Sequence, residues 1–567
     1  MTTSKSDNVA AAYLAQLADR GVDCLFGNAG TDFAPLIEAY AMADQKGTPV
    51  PRPILATHEN LAVTMAHGYA MVSRKIPAVM VHVSVGTANM VCAAMNAARE
   101  NIAILLSAGR TPLNETGPLG ARDGYIHWAQ EMYDQAGMLR EIVKWDYELR
   151  NGDQLETVVD RALSIAATEP RGPVYLSLPR EVIAAKATAR GFSGLRMQAA
   201  APASPDAGAI AAAAALLSAA KKPLVITANA GRDPAVFAAL ARFAERFAVP
   251  FAQMAPRYLS LPSSHAMNLG YDTARLVGDC DVILVLESDV PWIPAHACPV
   301  PACKVIQCGY DPLHTRIPIR GFPCDVGITG GVAAILAALE TALDGRTSEA
   351  LLMSRRKRVR EARAVQSEEA LLARQGAASR FPIDPIWASQ CLEKAKSPDT
   401  IVINEYTLRL DHCGFEQADC YFGSSSASGL GWGAGAALGA KLAAPDRSVI
   451  AVLGDGAYLF ANPVAVHHAA AMHELPILLI VMNNSMWNAV RRFTVAMYPG
   501  GRTAKRNDQP FMRLDNLPAF EDVCKSAGGW GERVEDPAAL PDAIARALHV
   551  VTHEKRQALL NVVCSAY

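Results

Sequence analysis

The sequence lacks a surplus of charge of either sign, is poor in aromatic residues and pairs none of its cysteines in a recognisable motif. Lys and Arg number 53 against 55 Asp and Glu, a formal net charge of -2, so the cationic excess that drives binding to phosphate backbones is missing. Nucleic acid is therefore not an expected partner. The twelve Cys are scattered, several of them inside apolar segments (Cys92, Cys308, Cys564), and no two stand as C-x-x-C. That leaves neither a zinc motif nor a disulfide framework and fits a reducing cytoplasm. Long apolar runs are absent too: the longest, 210–220 and 475–482, fall well short of the ~20 residues that span a bilayer. Residues 1–9 are polar, with no apolar core of the signal-peptide kind. A soluble cytoplasmic protein without a membrane partner is expected. What the chain does have is 567 residues, 51% of them hydrophobic, enough for several cores and about three or four domains.

Short β-rich runs alternate with amphipathic stretches in the first third. Residues 23–27 read as a strand ending in the turn Gly27-Asn28-Ala29-Gly30. A helix to about residue 43, a strand at 53–57, a helix at 60–73 and a strand at 78–82 follow, and the run 172–179 closes the unit. Strands spaced by helical patterns of this length predict a parallel α/β sheet. Residues 181–205, rich in Ala, Ser and Pro, read as a linker. A second unit opens on the Ala-rich helix 206–220 and carries strands at 223–227, 282–287 and 304–307. The basic run at 355–360 reads as the solvated face of a helical linker. The third unit starts near Pro382, with strands at 400–404, 449–453 and 477–482.

The strongest chemical signal is Gly454-Asp455-Gly456, followed after 26 residues by Asn483-Asn484. Each half follows a β-rich strand, so in a parallel sheet both lie at carboxyl ends, where such folds bind ligands. An Asp carboxylate and an Asn carbonyl oxygen there suit Mg²⁺, which shares its octahedron with substrate phosphates and water. The glycines let backbone N–H groups approach a diphosphate. Two unrelated turns are the plainer alternative, weakened by their joint placement after buried strands.

On this pair the sequence resembles the thiamine-diphosphate (ThDP) dependent enzymes of the 2-keto acid decarboxylase and acetolactate synthase superfamily, within it most the benzoylformate decarboxylases. The resemblance covers nearly the whole chain and is weakest in the middle. It implies an α/β fold of three doubly wound parallel-sheet domains: pyrimidine-binding over 1–185, central over 186–365 and diphosphate-binding over 366–567. Asp455, Asn484 and the main-chain oxygen of Met486 would ligate Mg²⁺. Glu59, in Thr57-His58-Glu59-Asn60, matches the family's glutamate that hydrogen-bonds the cofactor's pyrimidine ring and favours its imino tautomer. Taken alone, that Glu would be a residue of a helix first turn. In the family this glutamate and the Gly-Asp-Gly motif come from different subunits, which implies a homodimer or homotetramer with active sites at the dimer interface.

Gly429-Leu430-Gly431-Trp432-Gly433-Ala434 formally matches G-x-G-x-x-G/A, but a polar loop precedes it and no well-spaced acidic residue follows, so no dinucleotide site is expected. In the ThDP resemblance Leu430 props the bent cofactor and the Ser428 carbonyl accepts from the pyrimidine amino group; glycines permitting close helix packing are compatible with that. His82, at a strand end, corresponds to a catalytic histidine of the benzoylformate type, and Thr31 stands where those enzymes have a serine. His296 lies near the position of a second catalytic histidine. Gln130-Glu131 is similar to the Gln-Glu pair of acetolactate synthases. Ala489, Val490 and Phe493 match positions lining the benzoylformate-type pocket, though their spacing also suits ordinary helix core. His467, His468 and His473 lack metal-site spacing and read as interface or surface residues.

The expectation is a ThDP- and Mg²⁺-dependent lyase acting on a C–C bond next to a carbonyl, by decarboxylation of a 2-keto acid with carboligase activity on aldehydes alongside. An acetolactate-synthase-type carboligase and a 2-hydroxyacyl-CoA lyase are the rivals within the class. A catalytically silent ThDP-fold regulatory subunit is the rival outside it.

Overall fold

The structure is a computed structural model describing residues 8–187, 196–506 and 509–566. Part of the expected linker, 188–195, lies outside the described residues, as does most of the polar start. Three parallel sheets follow one another along the chain, each flanked by helices. The first holds β1 (Cys24–Gly27), β2 (Arg52–Leu55), β3 (Ala78–Val81), β4 (Leu105–Arg110), β5 (Asp146–Glu148) and β6 (Val174–Pro179) in the order β2-β1-β3-β4-β6-β5. The second holds β7 (Pro223–Thr227), β8 (Phe251–Gln253), β9 (Val282–Leu286), β10 (Lys304–Gly309) and β11 (Val326–Thr329) in the order β11-β10-β9-β7-β8. The third holds β12 (Ile401–Glu405), β13 (Tyr421–Gly423), β14 (Val449–Gly454), β15 (Leu478–Asn483), β16 (Trp530–Val534) and β17 (Ala558–Val563) in the order β13-β12-β14-β15-β17-β16. The central strands are buried on both faces, which is why they read as continuous apolar runs. Order reverses between β1 and β3 in the first sheet and between β12 and β14 in the third, and a crevice opens at the carboxyl ends of such neighbours.

The first and third units share one continuous core. Helix Glu59–Ser73 crosses helix Trp432–Ala443 so closely that a Cβ on Gly68 would lie 2.0 Å from the Ala436 oxygen, and one on Gly439 would lie 1.8 Å from the Met65 oxygen. Glycine there is a requirement of backbone approach. Among the described residues no helix is long and apolar enough to cross a membrane.

Helix Glu349–Arg374 runs across the boundary expected at residue 365. Its basic run is not uniformly solvated, which corrects the expectation for 355–360. Arg355 is 2% exposed, and its guanidinium donates to the oxygens of Leu217, Ala220 and Phe247. Those carbonyls close helices Ala207–Ala219 and Pro234–Phe247, so the cation sits where two helix dipoles end.

Candidate active site

At the switch point of the first sheet the turn after β1 faces the end of β3. Helix Glu59–Ser73 begins there, and its N-cap is His58, whose Nδ1 accepts the Asn60 N–H at 3.2 Å. The Glu59 carboxylate is thereby left for other work. It is buried, and its two oxygens accept from Asn28 Nδ2 at 2.9 Å and Asn89 Nδ2 at 3.0 Å. Asn28 comes from the turn after β1 and Asn89 from helix Val83–Arg99, so two elements aim one carboxyl.

His82 caps β3. Its Nδ1 lies 2.6 Å from Asp32 Oδ1, and Gln130 Nε2 lies 3.4 Å from its Nε2. The hydrogen bond to Asp32 raises the imidazole above its ordinary pKa, against the partial burial that lowers it. Asp32 is itself buried, and its second oxygen accepts the Val83 N–H at 3.3 Å. Gln130 is held by its neighbour: the Glu131 carboxylate takes Arg110, Arg122 and Thr111, which pins this loop over the crevice. Thr31 is exposed at the start of the turn Thr31–Phe33.

The second cluster forms at the ends of β14 and β15. Asp455 is 3% exposed and accepts from Gly456 N at 2.8 Å and Asn484 N at 3.1 Å. Asn484 Oδ1 accepts the Met486 N–H at 3.1 Å, so Asp455, Asn484 and Met486 close one turn. Burial raises the Asp455 carboxyl, and the backbone N–H groups only partly offset it. A Cβ on Gly456 would fall 2.2 Å from the Trp487 ring, so only glycine leaves that ring its place. Among the described residues no group of three or more His, Cys, Asp or Glu side chains is placed to hold a metal. A cation here would rest on one carboxylate, one amide oxygen and one main-chain oxygen, a donor set that fits hard Mg²⁺ completed by phosphate oxygens. Beyond this turn helix Asn488–Met497 presents Ala489, Val490 and Phe493 outward, and it buries none of its residues.

A loop of the third unit carries Ser428 and Leu430. Asn96 clasps Gly429 from both sides, donating to its oxygen at 2.8 Å and accepting from its N–H at 3.0 Å. Two residues on, the Glu405 carboxylate accepts the N–H groups of Gly431 at 2.8 Å and Gly433 at 2.7 Å. Leu430, half-buried against the shared core, is thus held at both ends. Ser428 takes φ +56°, which turns its peptide at the loop's tip. Glu405 is 1% exposed, and burial pushes its carboxyl up to about 7.

The structure thus groups Glu59, His82 and Gln130 at one crevice, with Thr31 on the adjoining turn, and Gly454, Asp455, Gly456, Asn484 and Met486 at another. His296 is exposed on a turn of the central unit, its N–H donated to Ile293 at 2.9 Å. Of the three later histidines, His467 is not at a surface. It is 1% exposed, with Tyr458 Oη at 2.8 Å and Gln557 Oε1 at 2.7 Å, a ring satisfied within the core. His468 is exposed, and His473 lies 2.7 Å from the Leu55 oxygen. Asp32, Asn28, Asn89, Asn96 and Glu405 belong to the site but go unmarked in the sequence. Asn28 does sit in the glycine-bearing turn after β1, a usable signal; Asn89, Asn96 and Glu405, on a helix or a strand, carry none.

Three family models match in chain order: the thiamine pyrophosphate enzyme N-terminal TPP binding domain over residues 7–138, its central domain over 210–339 and its C-terminal TPP binding domain over 406–562. Benzoylformate decarboxylase of Pseudomonas aeruginosa is 25% identical, over 97% of this chain and 95% of its own. The acetolactate synthase large subunit of Parasynechococcus marenigrum is 24% identical, over 96% and 86%. The solved thiamine diphosphate-dependent 4-hydroxybenzoylformate decarboxylase of Rhodococcus jostii RHA1 matches with a TM-score of 0.78 at 20% identity, covering 99% of each chain, a likeness of fold.

Proposed function

We propose, on the premise that this chain belongs to the thiamine pyrophosphate enzymes and is a ThDP-dependent enzyme, that it decarboxylates a 2-keto acid and carries carboligase activity on aldehydes alongside. The bound cofactor supplies a carbon nucleophile and an electron sink for breaking a bond next to a carbonyl. The chain's residues do the rest. Glu59, fixed by two amides, offers its carboxyl to the pyrimidine ring nitrogen. The Ser428 carbonyl would take the amino group, and Leu430, immobilised at both neighbours, would buttress the cofactor. Asp455, Asn484 and the Met486 oxygen hold Mg²⁺, with Gly454 and Gly456 keeping the backbone open to the diphosphate.

The observation that carries the reading is His82 beside Glu59, a proton-transfer side chain at the same switch-point crevice as the pyrimidine carboxyl. Thr31 and Gln130 flank it as substrate contacts. His296, exposed on its turn of the central unit, would be a second proton-transfer group at that centre. Gln130-Glu131 favours a second one, an acetolactate-synthase-type carboligase, because that amide stands against His82 Nε2.

We place the complete centre between two copies of the chain, as a homodimer or a pair of dimers. Helix Asn488–Met497 supports this, for Val490, Phe493 and Met497 leave an apolar stripe at 47%, 74% and 71% exposure beside the proposed metal site. The partner's crevice would cover it. The twelve free cysteines suit the cytoplasm.

Glu59→Gln tests the assignment. The variant is expected to bind ThDP and Mg²⁺, read by thermal shift and circular dichroism, and to lose about 10²-fold or more in turnover. Turnover near the parent's would overturn it. A panel of 2-keto acids and 2-hydroxyacyl-CoAs, with CO₂, aldehyde and acyloin measured separately, distinguishes decarboxylase from carboligase and acyl-CoA lyase.

A further inference from the structure

We propose that Asp32 is a positioning residue for His82: it aims Nε2 of the imidazole at the crevice and keeps on the ring the proton that this atom delivers. The proposal rests on reading His82 as the proton-transfer group.

The pair is built in. Asp32 is 3% exposed, with one oxygen 2.6 Å from His82 Nδ1 and the other taking the Val83 N–H at 3.3 Å. Space for it is cleared by two glycines on different elements. A Cβ on Gly109, in β4, would lie 1.7 Å from Asp32 Oδ2, and one on Gly30 would lie 2.1 Å from His82 Nδ1. Val83, β-branched, is held at φ +28°, a conformation that such residues avoid and that persists only where surroundings impose it. The carboxylate thus grips ring and backbone together, and the strained turn directs the imidazole.

With Asp32 on Nδ1, that nitrogen keeps its hydrogen, and gain and loss of a proton fall to Nε2. The charged and titratable groups facing the ring are Asp32 from the turn after β1, Glu59 from its helix and His127 from helix Ile126–Ala129. The two carboxylates favour the cation. His127 opposes it little, since burial lowers its own pKa. When Nε2–H is delivered, the bonding pair stays on Nε2 as a lone pair and the neutral ring keeps Nδ1–H on Asp32; a proton from water restores the cation. Gln130 suits both forms. Its Nε2 donates to the neutral ring, and its Oε1, buried and without a partner, accepts from the charged one after an amide flip.

The test titrates His82 in histidine-labelled protein without cofactor, its resonance identified by loss in His82→Gln. In Asp32→Asn the midpoint is expected to fall. In the loaded enzyme kcat/KM at neutral pH should drop about 10²-fold and its alkaline limb move to lower pH, with ThDP binding retained. Asp32→Ser is the second variant should the first fail to fold. An unchanged midpoint overturns the proposal. A lowered midpoint with parental kcat/KM overturns the claim that the held proton serves the reaction. Parental turnover in His82→Gln would instead overturn the reading of His82 on which this rests.

Discussion

Replacing Glu405 by glutamine separates two effects that a single stability measurement would merge. The carboxyl lies at the end of β12 with both oxygens on backbone N–H groups of the helix start, and burial pushes it from 4.5 up to about 7. The folded protein therefore holds this proton more tightly than the unfolded chain does. Its contribution is complete below the unfolded value and is lost as pH rises through 7. Between pH 5 and 8.5 that loss amounts to roughly 2.5 kcal/mol at 1.36 kcal/mol per pKa unit. Glutamine does not titrate, but its single oxygen satisfies only one of the two N–H groups, a pH-independent cost of about 1–3 kcal/mol. Glu405→Gln should accordingly be clearly less stable than the parent at pH 5 and near parity at pH 8.5. Thermal unfolding of both proteins across that range reads the change in their gap, about 5–10 °C for a domain of this size. Other titrating groups cancel in the difference. A gap that stays constant with pH would refute the argument.

The clasp on Gly429 predicts that Asn96→Ala weakens ThDP binding by up to about 30-fold, since two hydrogen bonds of roughly 1 kcal/mol each no longer order the loop in advance. Titration with the cofactor, alongside hydrogen exchange at Gly429, measures it; parental values of both would show that the clasp orders nothing. Phe493→Asp, on the outward face of helix Asn488–Met497, should convert the proposed dimer to an inactive monomer at micromolar concentration in sedimentation velocity. A dimer sedimenting as before would remove that helix from the interface.

The three sheets are legible in the sequence because fully buried parallel strands must be apolar throughout. The expected strand at 223–227 matches β7 at both ends, and that at 449–453 falls one residue short of β14. The Gly-Asp-Gly and Asn-Asn turns are legible for a related reason, as polar groups that interrupt such runs. What stays hidden depends on distant partners. Nothing around Arg355 distinguishes it from its solvated neighbours; its burial follows from two helices, far apart in sequence, ending against it. His467 disappears into the core because Gln557, ninety positions away, supplies its partner. Asp32 is a carboxylate in a turn until β4 passes behind it with a glycine. The glycines of 429–434 are ambiguous along the chain, and the fold divides them: Gly429 and Gly431 fasten the loop, while Gly433 lies within the helix that crosses Glu59–Ser73.

Helix Val83–Arg99 has an architectural consequence. It starts on His82 and carries, roughly 21 Å along at 1.5 Å per residue, the Asn96 that grips Gly429. In the proposed dimer these two ends serve different centres, since each centre joins the first unit of one copy to the third unit of the other. The helix is then a rod with one end in each reaction chamber. A tilt that moves the imidazole in one chamber must also move the buttress in the other, so the two chambers of a dimer share a mechanical linkage made of a single uninterrupted helix.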